Sequence, residues 1–519
     1  MKRIVFLIIG ALLVLGLVLP GCAGGGEVIY TFEDQQVIIG ICADIGHATG
    51  DMNKAGIALA AAEINVPGIN IGGVAYNLTH VIIGTKETTD QTGVTGANAL
   101  QAAITANSFD FIMGGFRTEA VEVYREVAMD AKKIFFDCGA ATETLQHSVV
   151  TNYTRYKYWF KTTPYNEYFL AQSVLKLINS VAIAERAALG LAPTDTLRAV
   201  IIAENLQWAK NEQEPMIKAG LAALHITWCA SYFVGSTSDK AAETVAALVS
   251  IYVNSYNPHL IIPIYSGYNG AVYDAYLASY AAADQLCPMS VGINVIDQVK
   301  APWTGVGTNL TSPPPAGPYC KDHIILDTWA EGVSQTPKTA AFLAAFATLT
   351  GGDYPLYTAA TYDACYALKA CLEDVGYVEG GVGKAKADDI IQWLEDPANA
   401  QVTTTGLTTY YPRPGAAAAG TPALSQAQKE SLYGAAFPYV MIDWLMPPHT
   451  THDLVYGVGL QTGIGAQWQW DVGAGKWKKV GIWPRVIGGL IDQYGGWNFA
   501  YPGTVSTVIP DYVIAHNFS

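Results

Sequence analysis

The sequence predicts an α/β protein made of two similar doubly wound lobes, and two observations predict it. Short β-branched or apolar runs alternate with stretches of helical spacing, and this alternation occurs twice along the chain. The strand candidates are continuous apolar runs, as expected of parallel strands covered on both faces by crossover helices.

In the first alternation the strand candidates are Val37–Cys42, Thr79–Gly84, Asp110–Gly114 and Ile134–Cys138, and the helix candidates are Met52–Asn65, Gly93–Asn107 and Thr118–Lys132. Within Met52–Asn65, Ile57, Ala60, Ala61 and Ile64 fall at helical spacing and supply the buried stripe. After Trp159–Thr162 the second alternation runs through Asn166–Glu185 (helix), Arg198–Ala203 (strand), Glu212–Leu224 (helix) and Ile226–Phe233 (strand). It continues through Lys240–Tyr256 (helix), Leu260–Tyr265 (strand), Ala271–Gln285 (helix) and Met289–Gly292 (strand). Residues 301–318, with Pro313-Pro314-Pro315, read as an irregular connection. Helical spacing returns at Pro337–Leu349, Thr358–Val375 and Lys384–Asp396. The stretch Thr403–Thr421 reads as a loop and Trp468–Lys478 as a hairpin. Residues 484–519 allow either a surface strap or a disordered tail.

Lys2 and Arg3 precede an apolar run from Ile4 to Leu19 that ends in Leu19-Pro20-Gly21-Cys22. The run is short for a bilayer span and reads as a signal peptide, residues 1–21, whose ending resembles a bacterial lipobox with Cys22 as the lipidated mature terminus. Ala23–Gly26 opens a stretch, residues 22–36, expected to be a flexible tether. The formal charge of −15 becomes −17 once Lys2 and Arg3 leave, since residues 1–21 hold no acid. So acidic a chain lacks the clustered Lys and Arg that phosphate backbones need, which excludes nucleic acid as a partner. Of eight cysteines, Cys42 and Cys138 fall in strand candidates and Cys365 and Cys371 in a helix candidate, as small apolar residues. Cys287 and Cys320 are the disulfide candidate, and no metal spacing occurs. No Gly-x-Ser-x-Gly elbow, His-Glu-x-x-His, phosphate-binding Gly-Lys-Ser/Thr loop or Cys-x-x-Cys is found, so neither catalysis nor a cofactor is expected.

Four stretches in order carry a family resemblance. They are Val37–Ile41 with Gly50, Gly56 and Ala61-Ala62-Glu63-Ile64-Asn65; Asp110–Gly115; Phe135–Thr142; and Thr358–Ala364 preceded by Phe342–Phe346. The chain resembles the type I periplasmic-binding-protein fold, in the branched-chain amino acid (Leu/Ile/Val) branch of ABC transporter substrate-binding proteins. The resemblance implies a Venus-flytrap of two Rossmann-like lobes joined by hinge strands. Lobe 1 would span 37–163 and 330–395, lobe 2 would span 164–329 and 396–480, and 481–519 would be an extension. It also implies an ABC permease with its ATPase subunits as partners, a location on the outer face of the cytoplasmic membrane, and a small ligand between the lobes: an amino acid, amide or small carboxylate. A ligand-sensing receptor of the same fold, signalling to a partner protein, is the alternative.

The ligand would lie beyond the carboxyl ends of the strands. Gly114–Thr118 ends a strand and opens a helix, which points amides and the helix dipole outward, with Arg117 and Thr118 as contacts. In the family the turn matching Gly139-Ala140-Ala141-Thr142 binds a carboxylate through amides and a Thr hydroxyl, which implies Ala140, Ala141 and Thr142. Trp208 falls near a family Tyr that covers the ligand, Tyr265 closes a strand, and His47 lies in the first loop.

Overall fold

The computed structural model describes residues 27–163, 166–235, 240–266, 289–294, 311, 313, 323–408, 410, 452–454 and 463–483. The chain opens with β1 (Ile29–Phe32) and β2 (Gln36–Ala43), followed by β3 (Ile69–Ile71), β4 (Val74–Gly84), β5 (Phe111–Gly114), β6 (Phe135–Asp137) and β7 (Trp159–Lys161). All but β1 form one sheet in the order β3-β4-β2-β5-β6-β7, parallel except for the β3–β4 hairpin. Ile39, Ile41, Phe111 and Phe135 are completely buried in it, each worth about 1.5–3 kcal/mol of apolar burial. Helices Ala48–Ile64, Val94–Thr105 and Thr118–Asp130 make the crossovers.

The second sheet is built from β8 (Leu197–Glu204), β9 (Ile226–Val234), β10 (Leu260–Tyr265), β11 (Met289–Asn294) and β12 (Ile324–Asp327). These strands are parallel and run β9-β8-β10-β11-β12, the same order as β4-β2-β5-β6-β7. Each sheet therefore reverses direction beside its first long strand, β2 or β8. The crevice of a doubly wound sheet opens at such a switch point.

After β12 the chain returns to the first lobe. Helices Thr339–Thr350, Thr361–Val375 and Ala387–Glu395 follow, with the antiparallel hairpin β13 (Tyr377–Glu379) and β14 (Val382–Lys386) between the last two. Thr358 Oγ1 donates to Thr49 O at 3.0 Å and Thr361 Oγ1 to Asn53 O at 2.8 Å, which fixes this return against helix Ala48–Ile64. β15 (Gln401–Val402) and β16 (Leu407–Thr408) form a small hairpin. β17 (Ile464–Asp471) and β18 (Lys476–Trp483) then extend the second sheet antiparallel beyond β12.

Several expectations are corrected. The stretch expected to be a flexible tether contains β1, which pairs with β14 and buries Tyr30 and Phe32 in the core. Lys384–Lys386, expected to begin a helix, belong to β14, where burial alternates with period two and the helix starts at Ala387. Of residues 396–480, expected in the second lobe, β17 and β18 do join its sheet. Thr404 and Thr405, by contrast, donate to the buried Asp363 carboxylate, and His452 bonds Glu395 and the Trp159 carbonyl, each at 2.8 Å. Those pieces lie on the first lobe because its buried acceptors need donors. Cys42, Cys138, Cys365 and Cys371 are buried free thiols, and burial pushes each thiol's pKa up. Cys22, Cys287, Cys320, helix candidate Ala271–Gln285 and residues 484–519 lie outside the described residues, as does nearly all of 301–318.

Candidate functional site

A cleft enclosing about 640 Å³ of empty space, part of it open to solvent, lies where the carboxyl ends of the two sheets face each other. Its wall is delivered strand by strand. Phe116, Arg117 and Thr118 follow β5, Gly139 and Ala141 follow β6, and Thr163 follows β7. From the second sheet come Trp208 after β8, Ser266 after β10, Ile293 in β11, and Leu326, Asp327 and Thr328 at the end of β12. Leu170 and Tyr357 complete it.

The turn after β5 demands glycine. Gly114 and Gly115 have φ of 104° and 93°, and a Cβ on Gly114 would lie 2.4 Å from the Cys42 carbonyl oxygen. The chain thereby swings Arg117 into the N-cap position of helix Thr118–Asp130, where its N–H donates to Glu87 Oε2 at 2.6 Å. Burial pushes the Glu87 carboxyl up to about 7. The Arg117 side chain behaves differently. The residue is 6% exposed, and among the described residues its Nε and Nη1 have no hydrogen-bond partner. Guanidinium nitrogens taken out of water without a partner are costly.

The second turn packs directly on the first, since a Cβ on Gly139 would lie 2.3 Å from Gly115 O. The amides expected to hold a ligand carboxylate are engaged inside the protein. Gly139 N and Ala140 N donate to Asp137 Oδ1 at 2.9 and 3.1 Å, and Ala141 N to Thr118 Oγ1 at 3.3 Å. Lys161 Nζ donates to the Ala140 carbonyl and helps to hold Asp137, whose carboxyl is raised chiefly by burial and lowered by that ammonium.

The structure brings Arg117, Thr118, Ala141 and Trp208 to one cleft, the last from the opposite lobe, and places the other predicted residues elsewhere. Ala140 is buried behind the wall by the two bonds just described. Thr142 pairs with Thr144 at 2.8 Å, Tyr265 is packed in the second lobe's core with Val200 and Ile251, and His47 is an exposed helix-start residue 4.0 Å from Asp44. Trp208, expected in a loop before a helix, lies in the π-helical turn Gln207–Gln213, which re-aims its indole toward the cleft.

Sequence reasoning missed Thr163, Thr328 and Tyr357, and reached Ser266 only as the neighbour of Tyr265. Thr163 and Thr328 follow strand ends, a signal available in principle at Lys161-Thr162-Thr163 but not at Asp327-Thr328, because β12 was not foreseen, while Tyr357 opens the short helical turn Tyr357–Ala360. Asp327 forms a fully buried ion pair with Lys479 of β18, and Ser266 donates its N–H and O–H to Glu204 Oε2 at 2.9 and 2.5 Å.

The lobes also meet beside the cleft. Glu119 Oε1, in the first lobe's helix, accepts the Gln207 N–H of the second at 2.9 Å. Next to it Glu212 and Glu167 lie side by side. Burial, then the neighbouring Glu167 charge, pushes the Glu212 carboxyl up to about 8. Glu167 is raised chiefly by burial. Glu122, across the seam, is raised by burial and by Glu212. Among the described residues no group of three or more His, Cys, Asp or Glu is arranged to hold a metal, and no helix is long and apolar enough to cross a membrane.

Two doubly wound sheets of identical strand order facing across one cleft define the type I periplasmic-binding-protein fold, as expected from the sequence. No protein-family profile matches the chain, and no curated protein matches it. Solved structures do. A solute-binding protein of an ABC transporter from Rhodopseudomonas palustris BisB5, in complex with 3,4-dihydroxybenzoic acid, is 14% identical with a TM-score of 0.55, covering 86% of this chain and 96% of that one. An ABC transporter substrate-binding protein from Sphaerobacter thermophilus is 11% identical with a TM-score of 0.57, covering 86% and 97%. The branched-chain amino acid transporter substrate-binding protein LivJ from Streptococcus pneumoniae, in complex with isoleucine, is 16% identical with a TM-score of 0.51, covering 72% and 92%. These neighbours are ligand-binding transporter components. At such identities the likeness establishes the fold.

Proposed function

We propose that this chain is the extracytoplasmic solute-binding component of an ABC uptake system. It captures a small carboxylate between its lobes and catalyses nothing. The observation that carries this reading is the buried guanidinium of Arg117, with Nε and Nη1 unpartnered among the described residues, on the wall of a cleft between two switch points. The neighbours' stated ligands, isoleucine and dihydroxybenzoic acid, each bear a carboxylate.

The ligand docks first on the first-lobe turn that carries Arg117 and Thr118. The second lobe then swings over it about the hinge segments after β7 and β12, bringing Trp208 down as an apolar cover. Closure expels water, which strengthens the contact between guanidinium and carboxylate. The ligand shifts the equilibrium by its preference for the closed form, and the permease reads the surfaces brought together. A thermal-shift screen against small acids and amino acids tests the reading, because a ligand of the native state raises the melting temperature with concentration. Small-angle scattering with the ligand so found should give a smaller radius of gyration than without it. An unchanged radius at saturation would remove hinge closure from the mechanism.

The leader further supports anchoring through a lipid on Cys22. Cys22→Ser should move the protein from the membrane fraction to the soluble one, and retention as firm as the parent's would rule out the lipid anchor.

A further inference from the structure

The cleft has a second polar pole. Thr163 and Thr328 are 1% and 0% exposed, both line the cleft, and among the described residues the hydroxyl of each has no hydrogen-bond partner. Buried polar groups left unpaired in a native structure call for an explanation, and in a ligand cleft a ligand atom supplies it. Their place in the sheets separates them from Arg117. Arg117 follows β5, whereas Thr163 follows β7, two strands away in the order β5-β6-β7. Neighbouring strands lie about 4.8 Å apart, so the two strand ends are separated by roughly 10 Å. Thr328 follows β12, at the far side of β8-β10-β11-β12 from Trp208. Arg117 and Trp208 therefore mark one end of the cleft, and the two threonines mark the hinge end. The two oxygens of a single carboxylate cannot span that gap. The cleft lining also carries the apolar side chains of Phe116, Leu170, Ile293 and Leu326. The acid on this wall, Asp327, is neutralised by Lys479.

We propose that the cleft selects an apolar monocarboxylate bearing a second oxygen function, hydroxyl or carbonyl, at the end remote from the carboxylate, held by Thr163 and Thr328. The inference rests on the reading of Arg117 as the carboxylate anchor. A site built to bond a ligand oxygen rejects the analogue that lacks it, because its own buried groups are then left unpaired.

Calorimetry with matched acids tests it: benzoate, ortho-hydroxybenzoate and para-hydroxybenzoate, then phenylpropanoate and para-hydroxyphenylpropanoate. Each para-hydroxy acid should bind at least tenfold tighter than its parent acid, and the ortho isomer should gain nothing. In the Thr163→Val/Thr328→Val double variant, which keeps side-chain shape, the ratio between the para-hydroxy and plain acids should fall to near one. The comparison within the unmodified protein already decides the matter if that variant folds poorly. Acids that bind, lose affinity in Arg117→Ala and show no para-hydroxyl preference would overturn this inference alone. An equal gain from the ortho hydroxyl would do the same. If none of the five binds, the carboxylate reading falls and takes this inference with it.

Discussion

Arg117→Ala should weaken binding of a carboxylate ligand by at least tenfold while leaving the fold intact. The guanidinium is buried, and two of its nitrogens lack partners among the described residues, so under the proposed reading a ligand carboxylate would complete its hydrogen bonding. Losing a charge-assisted pair in a closed cleft typically costs about 2–5 kcal/mol, and about 1.4 kcal/mol already corresponds to tenfold. Stability should hold or rise slightly, because the variant removes a buried charge that no described residue pairs with at Nε or Nη1. Trp208→Ala, by contrast, should weaken ligands with and without a carboxylate alike, since it removes only apolar cover. Calorimetry on the parent and both variants checks this. Unchanged affinity for a carboxylate in Arg117→Ala would reduce that residue to the start of a helix.

Ligand affinity should also fall as pH rises, through the acidic seam beside the cleft. With the lobes in contact, Glu212 is raised to about 8 by burial and by Glu167. Glu122 faces it from the first lobe, with Glu119 and Arg125 on the same helix and Glu143 beside Glu167. Opening exposes these carboxyls to water and returns them toward ordinary values, so the closed form binds more protons than the open one. A group raised in the closed form favours closure fully below its ordinary pKa, near 4.5, and that contribution disappears as pH climbs through about 8. One proton taken up on closure makes affinity fall by up to about tenfold per pH unit within that window. Glu212→Gln keeps an acceptor for Gln207, which bonds Glu212 Oε1 at 3.1 Å, and needs no proton. Affinity measured from about pH 5.5 to 8 should decline in the parent and decline less steeply in Glu212→Gln. Equal slopes in the two proteins would assign the pH dependence elsewhere.

The sequence by itself determined the layers. Apolar runs such as Val37–Cys42 and Leu260–Tyr265 are strands because nothing else buries a short run of β-branched residues on both faces, and helical spacing in Met52–Asn65 fixes a crossover. It also pointed to Arg117, which follows a strand end at the start of a helix, and, through the resemblance to a family Tyr, to Trp208. Tertiary structure decided the rest, because hydrogen-bond capacity is shared out among residues far apart in the chain. Only the fold shows that Asp137 takes the amides of Gly139 and Ala140, while Arg117 keeps unmet donor capacity among the described residues. It is the strand order that puts Thr163 and Thr328 at one end of the cleft, though 165 positions separate them in sequence. β1 was unreadable for the same reason: Ile29–Phe32 is a strand only because β14, more than three hundred residues later, offers it a ladder.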